Sequence, residues 1–295
     1  MQLKASLASA IARLTADGVP SPRLNAELLL MFTLGCDRAY LFAHPERELT
    51  VEEQLRYEAA LAERARGVPG QYITGHQEFW GMDLIVSPAV LIPRPETEHL
   101  IEAVLALAAE DRASGQEWPP HTRLRMLDVG TGSGAIALAL AKEFPEAEIH
   151  ASDISAAALE VARGNAARLQ FEKRIHFQQA DLLAGLNLSG WDFVVSNPPY
   201  VGEAEEDQVQ MEVRKYEPRD AVFGGPTGVE VIARLLPQAR ARLRPGGWLV
   251  MEISGTIASA VQHLLAASKD VWADVQIIPD LQSIPRVVRA RKPKV

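Results

Sequence analysis

The chain has 295 residues, 47% hydrophobic and 23% charged, the composition expected of a soluble globular protein with length for one large domain or two smaller ones. Its formal net charge of -8 argues against a protein that grips nucleic acid through many phosphates, because that mode needs clustered Lys and Arg. No apolar run is long enough to span a bilayer, and Met1-Gln2-Leu3-Lys4 opens an amphipathic helix rather than a signal peptide. The single Cys36 excludes an internal disulfide and a cysteine-built metal site, so a cytoplasmic protein is expected.

Leu3, Leu7, Ile11 and Leu14 recur at helical spacing, and Gly18-Val19-Pro20 stops that helix. Ser21 reads as an N-cap with Pro22 at the first helical position; the helix it opens carries Leu24, Leu28, Leu29 and Phe32 and ends near Gly35. Thr50 with Glu53 forms a capping box for a further helix that ends near Gly67. Residues 1–75 are therefore expected to form a small all-helical domain for substrate recognition, without a catalytic constellation. Residues 76–94 turn extended, with Glu78-Phe79-Trp80-Gly81 and Leu84-Ile85-Val86 predicting a hairpin linker. Pro95 then opens a helix through Leu100, Ile101, Val104 and Leu107, with Glu96 and Glu98 favourable in its first turn. Residues 114–122, with Gly115, Pro119 and Pro120, predict an exposed loop.

Beyond this loop the pattern alternates. Strands are expected at 124–129, 148–152, 174–179, 193–196 and 248–253, and helices at 135–142, 156–169 and 229–243, the last kinked at Pro237. Two closing strands lie near 275–278 and 286–289. Such alternation predicts an α/β domain over 95–295, with a mostly parallel sheet and helices on both faces.

Asn197-Pro198-Pro199-Tyr200 follows the apolar run Trp191-Asp192-Phe193-Val194-Val195-Ser196 and so lies just past a buried strand's carboxyl end, where open α/β sheets bind ligands. Two successive prolines fix φ and make the turn stiff. The Asn197 side-chain oxygen and the Pro198 carbonyl can each accept one hydrogen of a planar NH2 group, leaving the nitrogen's face open to an electrophile. Tyr200 can stack on the same group. Taken alone, the four letters also fit a plain Pro-Pro turn with Asn as a turn residue.

The strand at 124–129 runs into Asp128-Val129-Gly130-Thr131-Gly132-Ser133-Gly134. Glycines there permit a sharp turn and close ligand approach, and the following helix offers free N–H groups. Nicotinamide and flavin enzymes use a related turn. Here, however, Asp128 stands where a dinucleotide site has an apolar residue, and a carboxylate suits a cationic ligand better than a pyrophosphate. The spacing also lacks the third glycine of G-x-G-x-x-G. Asp153 is placed for a ribose diol, and Asp181 and Leu182 for the amino group and face of an adenine. Singly, either aspartate is as well explained as a cap or turn residue. Together, and with Asn197 beside them, they outline a nucleoside with a cationic tail. S-adenosyl-L-methionine fits, with S-adenosyl-L-homocysteine as product and no metal required.

The glycine turn, Asp153 and the Asn-Pro-Pro-Tyr turn, in that order, resemble a class I (Rossmann-like) methyltransferase acting on a planar amino group. With Leu91-Ile92-Pro93-Arg94-Pro95-Glu96-Thr97-Glu98, Glu78-Phe79-Trp80-Gly81 and the helical amino-terminal region, the chain is similar over nearly its whole length to the HemK/PrmC family of protein-(glutamine-N5) methyltransferases. The resemblance implies a seven-stranded methyltransferase domain and, as protein partners, class I peptide chain release factors, methylated on the glutamine of a Gly-Gly-Gln loop. It also implies that Phe79 and the segment 93–97, including Arg94, help enclose donor and substrate. Glu96 stands where the family more often has Asp, and Ser254 follows Glu252-Ile253 where glycine is expected. No direct nucleic-acid or membrane partner is expected, and the chain is expected to be a monomer.

Other readings use parts of the pattern. An adenine-N6 methyltransferase on DNA or RNA would flip its base into the same turn, but the acidic charge and the lack of a basic target-recognition domain stand against it. A ribosomal-protein glutamine methyltransferase differs only in partner. A module that merely binds the donor would not need the Asn-Pro-Pro-Tyr turn, and a nicotinamide oxidoreductase would need a hydride site that the sequence does not offer. The acidic loop 201–225 is expected to cover the substrate.

Overall fold

In the computed structural model, which describes residues 1–113, 123–267 and 272–294, the helical spacing near the amino terminus becomes five helices. These are α1 (Leu3–Ala16), α2 (Pro22–Leu34), α3 (Arg38–Ala43), α4 (Val51–Ala65) and α5 (Gly70–Thr74). The loop expected over 114–122 lies outside the described residues. Leu14, Leu29, Leu30, Leu41, Tyr57 and Leu61 share one apolar core, in which the Tyr57 hydroxyl donates to the Ala26 carbonyl at 2.9 Å. The capping box is present: Glu53 N–H donates to Thr50 Oγ1 at 3.1 Å and Thr50 N–H to the Glu53 carboxylate at 2.9 Å.

Two expectations fail in this region. Ser21 has left-handed backbone (φ 47°) and its hydroxyl caps nothing; Asn25 instead donates to the Pro20 and Ser21 carbonyls at 2.8 and 3.3 Å. The inward stripe of α2 is also rotated, with Ala26, Leu29, Leu30 and Thr33 buried and Leu24 and Phe32 exposed. The run Leu28-Leu29-Leu30 fits either stripe, and the i, i+3, i+4, i+7 set beginning at Ala26 is the one that packs.

After these helices, β1 (His76–Phe79) and β2 (Met82–Ile85) form the expected hairpin. Its turn residues Trp80 and Gly81 both have positive φ, which matches the twist of the two strands. Pro95 opens a short 3-10 turn, Pro95–Thr97, and the α-helix proper, α6 (Glu98–Ala113), starts behind it. There follow β3 (Arg125–Val129), α7 (Ala135–Glu143), β4 (Glu148–Asp153), α8 (Ala156–Arg168), β5 (Ile175–Gln179), β6 (Trp191–Ser196) and β7 (Val201–Gly202). The chain closes with α9 (Met211–Tyr216), α10 (Arg219–Val222), β8 (Phe223–Gly225), α11 (Glu230–Arg242), β9 (Leu243–Glu252), α12 (Ala258–Ala266), β10 (Ala273–Pro279) and β11 (Pro285–Arg291). The chain divides into two units, Met1–His76 with Gln210–Tyr216, and Gln77–Val209 with Glu217–Val295.

Within the second unit seven strands pair in the order β10-β11-β9-β6-β3-β4-β5. The five from β9 to β5 are parallel neighbours, and β11 runs antiparallel to both β9 and β10. Side chains alternate across this sheet. Met126, Phe193 and Val250 pack in the layer with α6 and α7, and Leu127, Val194 and Leu249 in the layer with α11 and α12. Among the described residues no helix is long and apolar enough to cross a membrane.

Candidate active site

From β3 the chain steps outward to β4 and β5, then returns to lay β6 on the other side of β3. A crevice opens at such a reversal, beyond the carboxyl ends of the two strands. The pairing Val129↔Ser196 sets the register there, so the glycine turn and the Asn-Pro-Pro-Tyr turn leave the sheet from adjacent points. A cleft of about 410 Å³ lies at this place, within the size range of small-molecule sites.

Gly130, Thr131, Gly132 and Ser133 form one wall of the cleft. The Gly130 and Thr131 N–H groups donate to the Ser152 carbonyl at 2.8 and 2.9 Å, and Gly132 N–H donates to the Asp153 carboxylate at 2.8 Å. The turn is thereby stitched to the end of β4. Gly134 stands behind the wall: it has φ 84°, and a side chain there would meet Ala162 at 3.2 Å, so glycine lets α7 begin against α8. Asp153 lines the cleft and its second oxygen accepts the Ser155 N–H at 2.9 Å. Burial raises its carboxyl pKa, and the Ser155 and Gly132 N–H groups oppose that rise. The Ile154 N–H acts in the same sense, and the carboxylate still offers acceptor capacity to a ligand hydroxyl on the cleft side.

Asp128 departs from expectation. Strand alternation turns it to the face that carries Met126, where it is 0% exposed and does not line the cleft. One carboxylate oxygen accepts the Thr131 hydroxyl at 2.6 Å and the Ala137 N–H at 3.2 Å; the other accepts no hydrogen bond. Burial pushes its pKa up to about 7 against those two bonds. Asp128 thus holds the glycine turn to the start of α7 and does not itself reach the cleft.

Asp181 and Leu182 also line the cleft. One Asp181 oxygen takes the Arg234 guanidinium at 2.5 Å, which leaves the other for a ligand. Leu182 holds φ 55°, a conformation that costs a non-glycine residue on the order of 1 kcal/mol or more. The Ser152 hydroxyl steadies it by donating to the Leu182 carbonyl at 3.2 Å.

Asn197 and Pro199 complete the cleft beside the glycine turn. The Asn197 NH2 group donates to the Thr97 hydroxyl at 3.1 Å, Thr97 donates to one Glu252 oxygen at 2.6 Å, and the Tyr200 hydroxyl donates to the other at 3.0 Å. Glu252 is 1% exposed; burial raises its pKa, while the two hydroxyls and the charge of Arg286 oppose the rise. Burial, then the Glu252 carboxylate, pushes the Tyr200 phenol up. The Tyr200 hydroxyl thereby braces the turn from behind, and neither Tyr200 nor the buried Pro198 lines the cleft.

Glu252 was not singled out from the sequence, although its one signal was visible there: a lone carboxylate in the apolar run Trp248-Leu249-Val250-Met251-Glu252-Ile253. Gly224 and Gly228 were missed as well. A side chain at Gly224 would lie 2.5 Å from the Pro199 carbonyl oxygen, and one at Gly228 would collide with the Tyr200 carbonyl. The ribbon of β7 and β8, paired Val201↔Phe223 and Gly202↔Gly225, presses this loop onto the Asn-Pro-Pro-Tyr backbone.

Arg94 lines the cleft, with its guanidinium 2.5 Å from Glu217, which also accepts the Ile92 N–H at 3.0 Å. Phe79 does not reach the site: it is 1% exposed in the layer packed with α6 and α7, because the inward face of the hairpin joins that core. The two arginines on the wall, Arg94 and Arg234, are each paired with a carboxylate. With both cations neutralised, the lining fits a nucleoside with a positive tail better than a polyphosphate.

Comparison with known proteins agrees with this geometry. A family model described as PrmC N-terminal domain matches residues 5–75, and one described as Methyltransferase small domain matches residues 116–215. The release factor glutamine methyltransferase of Koribacter versatilis is 55% identical over 294 residues, covering 99% of both chains. That of Moorella thermoacetica is 43% identical over 280 residues, covering 95% of both. Among solved structures, the hMettl16 catalytic domain aligns with a TM-score of 0.55 at 16% identity, covering 82% of each chain. A Pyrococcus furiosus methyltransferase aligns with a TM-score of 0.50 at 19% identity, covering 72% of this chain and 90% of that one. Those two likenesses are of fold. The full-length relatives lead to one conclusion: the chain belongs to the release factor glutamine methyltransferase family.

Proposed function

We propose that the cleft holds S-adenosyl-L-methionine and that the enzyme methylates the side-chain nitrogen, N5, of the glutamine in the Gly-Gly-Gln motif of class I peptide chain release factors. One observation carries this reading: Asn197 stands at the cleft wall with its NH2 end engaged by Thr97, which leaves its oxygen for an incoming amide. Relatives named as release factor glutamine methyltransferases along the whole chain support the choice of substrate.

An amide nitrogen is a poor nucleophile because its lone pair is delocalised into the carbonyl. When bound, the donor supplies a methyl group already activated on a sulfonium. The chain's own residues supply position: the Asn197 oxygen, on the cleft wall, accepts one amide hydrogen and holds the nitrogen in line with the methyl. Because Pro198 does not line the cleft, its carbonyl takes the second hydrogen only if the turn shifts to present it. Orientation of this kind is worth roughly several kcal/mol. As the nitrogen takes the methyl group it becomes strongly acidic and loses one proton to water, which can pass it towards the Pro198 carbonyl, so no strong base is needed, and Asn197 could not serve as one. Asp153 takes the ribose diol, and Asp181 with Leu182 the adenine. The helical unit recognises the release factor, the segment 201–225, which forms β7, α9, α10 and β8, covers it, and the enzyme works as a monomer in the cytoplasm.

The test is to incubate the purified protein with methyl-labelled donor and a release factor, then map the label by mass spectrometry. A methyl group on the Gly-Gly-Gln glutamine is expected. Label confined to another residue, to a ribosomal protein or to DNA would overturn the reading.

A further inference from the structure

We propose that Thr97 and Glu252 are positioning residues for methyl transfer: Glu252 sets the direction of the Thr97 hydroxyl hydrogen, and that direction decides which end of the Asn197 amide faces the cleft. The inference deepens the proposed function and rests on Asn197 as the acceptor of a substrate amide hydrogen.

The Glu252 carboxylate lies between two hydroxyls, and the Thr97 hydroxyl, 2.6 Å away, donates to it. Thr97 then has only lone pairs to offer Asn197. Of the two ends of that amide, the NH2 alone can use them, and it lies 3.1 Å from the Thr97 oxygen. The oxygen and NH2 ends are nearly the same size, so packing cannot tell them apart; the hydrogen-bond chain can. Were Thr97 to donate to Asn197, the amide would turn over and meet the substrate's NH2 group with another NH2 group. Tyr200 fills the second Glu252 oxygen at 3.0 Å, so both oxygens of this 1% exposed carboxylate have a donor. Three parts of the chain meet in the relay: the 3-10 turn before α6, the turn after β6 and the end of β9. Thr97 lines the cleft while Glu252 and Tyr200 do not, and none of the three needs to touch the reacting atoms.

The relay is tested with Thr97→Val, which keeps the shape and removes the hydroxyl, Thr97→Ser, which restores it, and Glu252→Gln, which lets Thr97 accept instead of donate. Each is assayed for transfer to the release factor, for donor affinity by calorimetry, and for inhibition by a release factor carrying glutamate at the target position. Thr97→Val should lower kcat about 10- to 100-fold with donor Kd within about twofold of wild type, and Thr97→Ser should recover kcat to within about threefold. Glu252→Gln should lower kcat and make the glutamate-bearing factor a stronger inhibitor, because a turned-over Asn197 donates to a carboxylate. If Thr97→Val keeps wild-type kcat, if Thr97→Ser does no better than Thr97→Val, or if donor affinity falls in step with kcat, the relay is wrong. The Thr97 pair decides alone should Glu252→Gln not fold. A wild-type enzyme that transfers nothing to release factor would overturn the substrate reading beneath the relay, a different failure.

Discussion

The Ser196 hydroxyl donates to the Val129 carbonyl at 2.7 Å, tying the last residue of β6 to the last residue of β3. Each is followed at once by one of the turns that form the cleft, so this bond fixes the spacing between the glycine turn and Asn197. Ser196→Ala should cost about 1 kcal/mol of stability, seen as a lower thermal midpoint, and should weaken donor binding and transfer together. A change in transfer with neither melting nor donor affinity affected would contradict this role.

Asp153 holds the glycine turn through Gly132 and keeps acceptor capacity towards the cleft. Asp153→Ala should weaken S-adenosyl-L-methionine binding by roughly 10- to 100-fold in calorimetry, since both a ligand contact and the turn's tether are lost. Wild-type affinity in that variant would remove the ribose assignment.

The buried Asp128 makes stability depend on pH. Its pKa is about 7 in the fold against an ordinary 3.8, so the folded state holds the proton more tightly than the unfolded one. The stabilising contribution is complete below 3.8 and is lost as pH rises through about 7. Denaturant titrations without donor should show wild type losing stability over this window relative to Asp128→Asn, by at most on the order of 4 kcal/mol. A difference between the two proteins that does not change with pH would contradict the assignment.

Gly224 lies against the Pro199 carbonyl with no room for a side chain, and the obstructing atoms are backbone. Gly224→Ala should displace the Asn-Pro-Pro-Tyr turn and lower methyl transfer by about tenfold or more, because a shift of around 1 Å at a reacting centre is enough for such losses. Donor affinity should suffer less, as Asp153 and the glycine turn stand apart from this contact. Equal losses in both, measured by steady-state kinetics and calorimetry, would show that the loop supports the whole cleft instead.

What the sequence revealed and what it hid follow from the range of the interactions. The alternation of strands and helices, the capping box at Thr50 and the two turns at the strand ends are local patterns, and each forms where local spacing put it. Asp128 shows the limit: alternation pairs it with Met126, but only the packed sheet reveals that this face is covered by α7 and not open to the cleft. The relay from Asn197 through Thr97 to Glu252 joins residues 100 and 155 positions apart, and no short-range spacing announces it. Phe79 misled for a related reason, since an aromatic residue near a substrate motif and one in the core beneath it look alike in one dimension. The helix α12 and the ribbon of β7 and β8 were not expected; the strands of that ribbon hold two and three residues, too short to carry a period.

The most direct measurement is single-turnover methyl transfer to release factor by Asn197→Ala at saturating donor. A fall of about 100-fold or more, with donor affinity near that of wild type, is the result predicted for a residue that orients the substrate amide. Turnover at the wild-type rate would contradict the account.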